Sequence, residues 1–250
     1  MFRPIRMRLV RLAIVVFAGV ALVWPQAGQL KTADAVLQRY QQALGGVDAI
    51  RKVQSETRLG EVEATGMQGK ATFVAYAKPF KFLHKVTLPS GREVISGFDG
   101  SVSWSVTPQG ASIDKATAVE AVRRDADLQY ALHQPDYFQK LEFAGVTDFE
   151  GRPCYWLHGT THWGKDNNQF YDVQTGLLAG YCFQSDASSS AATTTTVFQD
   201  YTSIGGPLVA TKVISRTGDH TQTVTYTSVI YEPLADSVFE LPQAVKALLK

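Results

Sequence analysis

The sequence predicts a mainly β (α+β) protein in which one strongly curved antiparallel sheet carries most of the chain and a few helices pack on it. From residue 56 onward hydrophobic residues recur with a period near two, and turns rich in glycine and proline divide this region into short strands. Little helical periodicity separates the strands, which favours antiparallel pairing of sequence neighbours. The balance of 24 Lys and Arg against 23 Asp and Glu excludes a protein that binds nucleic acid through a clustered basic surface.

The first 27 residues have the pattern of a secretory signal peptide. Basic residues without an acidic one precede an uninterrupted apolar stretch at 12–24, which is too short to span a bilayer comfortably. We therefore expect 1–27 to be a signal peptide and 28–250 to form a single domain that is exported to the periplasm and soluble after cleavage. The alternative on the same pattern is an N-terminal anchor that is not cleaved.

Helical periodicity is confined to a few segments of the mature chain. Thr32 is a suitable N-cap for a helix over 32–44, in which Val36, Leu37 and Tyr40 form one apolar stripe, and Gly45-Gly46 ends it. The other predicted helical segments are a short turn at 47–53, a helix over 115–133 and a second turn over 135–141.

Twelve segments alternate as strands of a sheet with one dry face. They are 56–65, 70–78, 80–88, 92–98, 101–107, 143–149, 153–161, 167–173, 177–184, 193–201, 207–216 and 220–232. Segment 101–107 has the cleanest alternation, with Val102, Trp104 and Val106 on one face. Pairing 153–161 with 167–173, and 167–173 with 177–183, places Cys182 beside Asn167.

That register separates the two cysteines. Cys154 lies at the far end of its own strand from Cys182, well beyond the Cα separation of about 7 Å that a disulfide allows. We expect two free thiols, although an exported chain also admits a bridge between them.

No catalytic motif is present in the sequence. His158 and His162 are four residues apart along a strand, a span of about 13 Å that is too long for one metal ion. The polar run at 166–168 is typical of a loop, although a cation would also suit it. His84 lies among apolar residues, where it is either a base in an apolar cleft or a partly buried histidine with one hydrogen bond. The sequence thus predicts no metal, no cofactor and no enzyme.

Large aromatic side chains recur along the strands and admit two interpretations. Either they fill an ordinary β core, or they line an apolar cavity within a curved sheet that encloses more volume than its side chains fill. The residues concerned include Phe82, Trp104, Trp156, Phe170 and Tyr226.

Several motifs recur in the order of a known superfamily. They are the first helix with Gly45-Gly46, Gly97-Phe98-Asp99-Gly100 leading to Trp104, the strand entry Gly151-Arg152-Pro153-Cys154-Tyr155, the hairpin turn Asp172-Val173-Gln174-Thr175-Gly176-Leu177-Leu178, and the closing 236–242. In this order of elements the chain resembles the periplasmic outer-membrane lipoprotein carriers, the LolA/LolB-like superfamily.

The resemblance implies an unclosed β-barrel whose concave face is covered by the helices 32–44 and 115–141. It implies a monomeric carrier that binds acyl chains of lipids or lipoproteins without catalysis and exchanges them with inner- and outer-membrane partners. The lining residues it implies are Phe82, Trp104, Trp156, Phe170 and Tyr226, with Val36, Leu37 and Tyr40 on the lid helix. None of Arg51, Arg123 and Arg124 is assigned as a lid arginine. An envelope sensor or scaffold that binds a protein partner is the alternative, and an exported hydrolase using His84 or His158 is a more distant one.

Overall fold

The computed structural model describes residues 30–115, 119–184 and 193–250, so the predicted signal peptide lies outside the described residues. The helices are α1 (Ala33–Ala43), α2 (Val47–Lys52), α3 (Val119–Asp125), α4 (Tyr130–His133) and α5 (Gln243–Lys246), with 3₁₀ turns at Gln134–Tyr137, Asp236–Phe239 and Ala247–Leu249. The strands are β1 (Glu56–Ala64), β2 (Ala71–Lys78), β3 (Lys81–Thr87), β4 (Glu93–Phe98), β5 (Ser103–Thr107), β6 (Gly110–Ile113), β7 (Phe138–Phe149), β8 (Arg152–Thr161), β9 (Asp166–Asp172), β10 (Leu178–Gln184), β11 (Thr193–Ser203), β12 (Leu208–Thr217) and β13 (His220–Ile230).

All thirteen strands form one antiparallel sheet in the order β6-β5-β4-β3-β2-β1-β13-β12-β11-β10-β9-β8-β7. The edges are β6 and β7, and the described strands do not close the sheet between them. This confirms the predicted mainly β, unclosed architecture. Among the described residues, no helix combines the length and the apolar character that a membrane crossing requires.

The first helix forms as its sequence predicts. The Ala35 amide donates to Thr32 Oγ1 at 3.2 Å, and Gly46 adopts φ 92°, which suits glycine at the junction with α2. Val36 and Leu37 are buried against a cluster that includes Tyr155 and Tyr171. The helix is thus anchored on the strands β8–β10.

The second helical region is broken where one continuous helix was predicted. Residues 116–118 of that prediction lie outside the described part of the chain, and the rest divides into α3 and α4. Asp127 Oδ1 accepts from the Gln129 amide at 3.0 Å, a local bond that competes with helix continuation. The predicted helical turn at 135–141 is also wrong beyond Tyr137, because β7 begins at Phe138.

The hairpins around the two cysteines have the predicted pairing, with β9 between β8 and β10. Cys182 pairs with Asn168, one residue from the predicted neighbour, and Cys154 pairs with Asp172. Their partners are four residues apart on β9, which separates the cysteines by about 13 Å along the strand. Both thiols are free.

Candidate functional site

The cross-strand register places charged, aromatic and small side chains together on one face of the interior strands β1, β2 and β3. Arg58 on β1 pairs with Ala75 on β2, which pairs with His84 on β3. The next row joins Glu56, Ala77 and Phe82 in the same way. Residues opposite each other on neighbouring strands share a face, so both rows face the same side of the sheet.

This side of the sheet borders a cavity of about 400 Å³ beneath the helices. The wall from the sheet includes Phe82, Phe198, Val213 and Tyr226, and the helices and the segments that follow them contribute Tyr40, Leu44, Ile50, Val53, Ala126, Leu128 and Ala131. Most of these side chains are aliphatic or aromatic. The cavity therefore suits an apolar ligand with a few polar groups.

Small residues on the sheet leave the space open. Ala75, Ala77 and Ala210 all line the cavity at positions where strands of a filled core carry larger side chains. Ala75 separates Arg58 from His84 along their row, so neither of these polar side chains is covered by an intervening large residue.

An ion pair lies in the sheet wall of the cavity, among mainly apolar side chains and His84. Arg58 Nε lies 2.8 Å from Glu56 Oε1, outside hydrogen-bond alignment, and Arg58 Nη2 donates to Glu56 Oε2 at 3.2 Å. The guanidinium also lies 5.1 Å from the centroid of the Tyr226 ring, a cation–π contact. Burial, the largest single influence, lowers the pKa of Arg58, but the charge and hydrogen bond of Glu56 together with the nearby Tyr226 and Tyr231 outweigh it, and the pKa is raised. Arg58 is a permanent cation within the cavity.

His84 lines the cavity as an uncharged imidazole. Its ring stacks on Phe82 with centroids 4.5 Å apart, and it makes no hydrogen bond to any residue that the structure describes. Burial, and secondarily the charge of Arg58, lowers the pKa of His84 to about 4. His84 therefore has the apolar surroundings expected of a base in an apolar cleft. It lacks the hydrogen bond expected of a partly buried structural histidine.

Residues 119–137, which we name the cover segment, contribute one wall of the cavity and are held by their own polar network. Asp127 Oδ2 accepts from Tyr137 Oη at 2.8 Å and from His133 Nδ1 at 2.9 Å. Gln129 Nε2 donates to the carbonyls of Arg51 and Val53, at 3.1 Å each. The two bonds from Gln129 fasten the cover segment to the end of α2, and those to Asp127 hold the segment together internally.

A second, more polar pocket of about 330 Å³ adjoins the first. The two share Tyr40, Asp125, Asp127, Tyr130, Leu178 and Phe198. Further lining residues are Arg124, Gln134, Asn167, Gln169 and Tyr181. Gln134 Nε2 donates to Tyr171 Oη at 2.7 Å, and Tyr171 Oη donates to Gln169 Oε1 at 2.9 Å. Of the two adjoining pockets, the first is therefore mainly apolar and the second is lined partly by amide side chains.

The structure divides the lining residues predicted from the sequence into two groups. Phe82, Tyr226 and Tyr40 line the cavity. Val36 and Leu37 instead lie in the core between α1 and the sheet. The described lining of the two pockets does not include Trp104, Trp156 or Phe170.

Trp156 and Phe170 pair with each other on the opposite face of the sheet. Phe170 stacks on Phe149 with ring centroids 4.2 Å apart, and Trp156 Nε1 donates to Asn168 Oδ1 at 2.8 Å. A second core cluster, which includes Phe149 and Val197, covers part of this face. Both faces of the sheet thus carry buried aromatic residues.

Trp104 also lies opposite the cavity. It pairs with Gly97, the neighbour of Phe98, and Phe98 shares a row with Phe82. The indole is only 2% exposed and packs so closely on Gly97 that a Cβ there would lie 2.6 Å from it. The helix α5 packs against β5 and β6. Alternation correctly grouped Trp104 with Val106, but it does not reveal which face is covered by a distant helix.

Sequence reasoning missed Arg58, Glu56 and the alanines opposite them. Neither face of β1 is uniformly apolar in sequence. One face carries Glu56, Arg58 and Val62, and the other carries Thr57, Leu59 and Glu61. A signal was available in β2, where alanines at 71, 75 and 77 share one face and mark an unusually thin wall.

The two histidines considered for catalysis, His84 and His158, contact no nucleophile through a hydrogen bond to any described residue. His158 Nδ1 contacts Asn168 Oδ1 at 3.0 Å, and the His84 ring stacks on Phe82. Among the described residues no histidine is hydrogen-bonded to a serine, threonine or cysteine side chain, and no group of three metal-ligating side chains converges.

Comparison with solved structures identifies the architecture as a LolA/LolB-like fold. A DUF1329 family protein from Desulfovibrio piger superposes with a TM-score of 0.60 at 16% identity, over 83% of this chain and 96% of that one. A domain proposed to be an outer membrane lipoprotein-sorting protein from Vibrio parahaemolyticus gives 0.59 at 10% identity, over 86% and 97%. A LolA superfamily protein from Nitrosomonas europaea gives 0.55 at 12% identity, over 81% and 97%. No family model and no curated protein matches the sequence.

Proposed function

We propose that the chain is an exported carrier that holds an acyl chain of a lipid or lipoprotein in the 400 Å³ cavity and transfers it across the periplasm to the outer membrane. The observation that carries this proposal is a largely apolar space kept open by Ala75, Ala77 and Ala210 beneath the helices. Its volume is within the range of about 300–1,000 Å³ that is typical of small-molecule sites.

Binding of this kind requires no covalent step. Burial contributes about 25 cal/mol per Å² of apolar surface, enough to hold an acyl chain reversibly without a cofactor. The proposed periplasmic location depends on the signal-peptide pattern of 1–27. Donor and acceptor partners at the inner and outer membranes follow from the carrier function, and the similar lipoprotein-sorting domain supports the same kind of cargo.

The experiment is uptake of 1,6-diphenylhexatriene, an uncharged apolar probe whose fluorescence rises in a dry site. Ala75→Leu places a larger side chain in the cavity and should weaken probe binding by about tenfold or more, since it occupies the space the probe needs. Thr72→Leu is the matched control, because Thr72 is exposed and alternation places it on the opposite face of the same strand.

Equal probe affinity in Ala75→Leu and Thr72→Leu, or no uptake by the native protein, would overturn the proposal. Native mass spectrometry of protein purified from the cell envelope gives the second test. A bound acylated molecule is expected, and its identification names the cargo.

A further inference from the structure

The part of the cavity wall that the sheet contributes, which we call the floor, contains the cation Arg58. The tail of an acyl chain does not require a cation. Methylene groups gain nothing from a guanidinium, and an ion pair in an apolar wall costs free energy of desolvation that its own attraction does not reliably recover. Arg58 and Glu56 nonetheless occupy β1, an interior strand of the sheet, with Glu56 itself buried. The pair therefore points to a polar group on the ligand.

Hydrogen-bond donors remain unused beside this pair. Only Nη2 of Arg58 donates a hydrogen bond to Glu56; Nε lies near Glu56 without hydrogen-bond alignment, and Nη1 makes no hydrogen bond to any described residue. The hydroxyl of Tyr231 is buried, lines the same cavity and has no hydrogen-bond partner among the described residues. A guanidinium can only donate, and the Tyr231 hydroxyl is free to donate as well, so the complementary ligand group is an acceptor.

The cavity wall carries the carboxylates of Glu56, Asp125 and Asp127, but the surroundings of Arg58 itself favour an acceptor with negative charge. The charge of Arg58 is felt at His84, where it adds to burial in lowering the pKa of the imidazole. Tyr226 and Tyr231 also lie within the field of Arg58. Charge-assisted hydrogen bonds are about twice as strong as neutral ones, and most so where water is excluded.

We propose that Arg58 and Tyr231 form a binding site for the anionic end of an acyl ligand, a carboxylate or a phosphate, whose chain lies along the aliphatic wall. This inference rests on the proposed carrier function and narrows its cargo. The preferred ligand is a single amphiphile that buries its charged end, and not the acyl tails of a lipoprotein entering methyl end first.

The test compares laurate, dodecyl phosphate and 1-dodecanol, which share one chain length and differ in the end group. Isothermal titration at mildly alkaline pH should give at least one anionic ligand about tenfold or more higher affinity than the alcohol, because it adds charge-assisted hydrogen bonds. The tighter of the two anions distinguishes a carboxylate site from a phosphate site.

Two variants assign this preference to the site. Arg58→Met combined with Glu56→Gln removes both charges without leaving a carboxylate unpaired, and it should abolish the anion preference while retaining dodecanol binding. Tyr231→Phe removes one unpartnered hydroxyl and should weaken anion binding about threefold to tenfold with no loss of folding. Tyr155→Phe is its matched control, because the Tyr155 hydroxyl is likewise buried and unpartnered but the residue packs in the core under α1.

The outcomes separate the two proposals. If the native protein binds all three ligands equally, or if Tyr231→Phe and the double variant keep the full preference for the anion, the anionic-end site is wrong and the carrier function stands. If none of the three ligands binds, the carrier function itself fails.

Discussion

Burial of one imidazole in the cavity makes the stability of the fold depend on pH. The pKa of His84 is lowered to about 4 in the folded chain from an ordinary value of 6.5. Between these values the unfolded chain binds a proton that the folded chain does not. The free energy of unfolding should therefore fall as pH drops from 6.5 to about 4, with no further loss through His84 below that range. The loss is about 3 kcal/mol at most.

The measurement is urea unfolding across this pH range, with His84→Gln compared with the native chain. Glu56, Asp125 and Asp127 also line the cavity with carboxyl groups, so the informative quantity is the difference between the two pH profiles. That difference should change between pH 6.5 and 4 as the His84 contribution is lost. The same substitution at the exposed His220 should leave the profile unchanged, and a His84→Gln profile parallel to the native one would contradict the assignment.

At the level of single residues, the sequence predicted which side chains are large and dry but not which space they face. Phe82 and Trp104 belong to strands of similar hydrophobic alternation, yet only Phe82 lines the cavity. The register places Trp104 on the opposite face from Phe82, and α5, distant in sequence, packs against its strand. Arg58 was missed for the converse reason, because a charged residue inside a cavity has the same local pattern as one in solvent.

Among the elements, the cover segment is held mainly by a few polar contacts and has no buried residue in α3 or α4. We predict that Asp127→Ala loosens this segment selectively, because the Asp127 carboxylate accepts from Tyr137, His133 and the Gln129 amide. Loss of charge-assisted bonds of this kind should speed amide exchange in 119–137 on the order of 30-fold, while the sheet keeps its protection.

Hydrogen exchange read out by mass spectrometry checks this, together with the dissociation rate of diphenylhexatriene, which should rise in parallel. Asp136→Ala is the control, since Asp136 is exposed in the same segment. Uniformly faster exchange across all thirteen strands would mean that Asp127 supports the whole fold, and the prediction would be wrong.

Elements with a local cause were predictable from the sequence, and elements with a distant cause were not. The capped helix α1 and the hairpins β8–β10 follow from Thr32, from Gly176 and from alternation within each strand. The break after α3 depends on the Asp127 side chain accepting from the backbone amide of Gln129, and the strand β6 is only four residues long. A periodic hydrophobic pattern does not predict features that are this short or that depend on a single side chain.

For the whole molecule, an open cavity couples ligand binding to thermal stability. A ligand that binds only the folded chain stabilises it by about 2.7 kcal/mol at a hundredfold excess over its Kd, which for a chain of this length raises the melting temperature by about 5–10 °C. The native protein and Thr72→Leu should both show this shift with diphenylhexatriene. Ala75→Leu should melt no lower than the native chain when empty, because its added side chain fills vacant space, yet it should lose most of the ligand-induced shift. These two results together distinguish a binding-site residue from a core residue. If Ala75 were a core residue, the substitution would lower the melting temperature of the empty protein. If the probe bound elsewhere, the substitution would leave the ligand-induced shift intact.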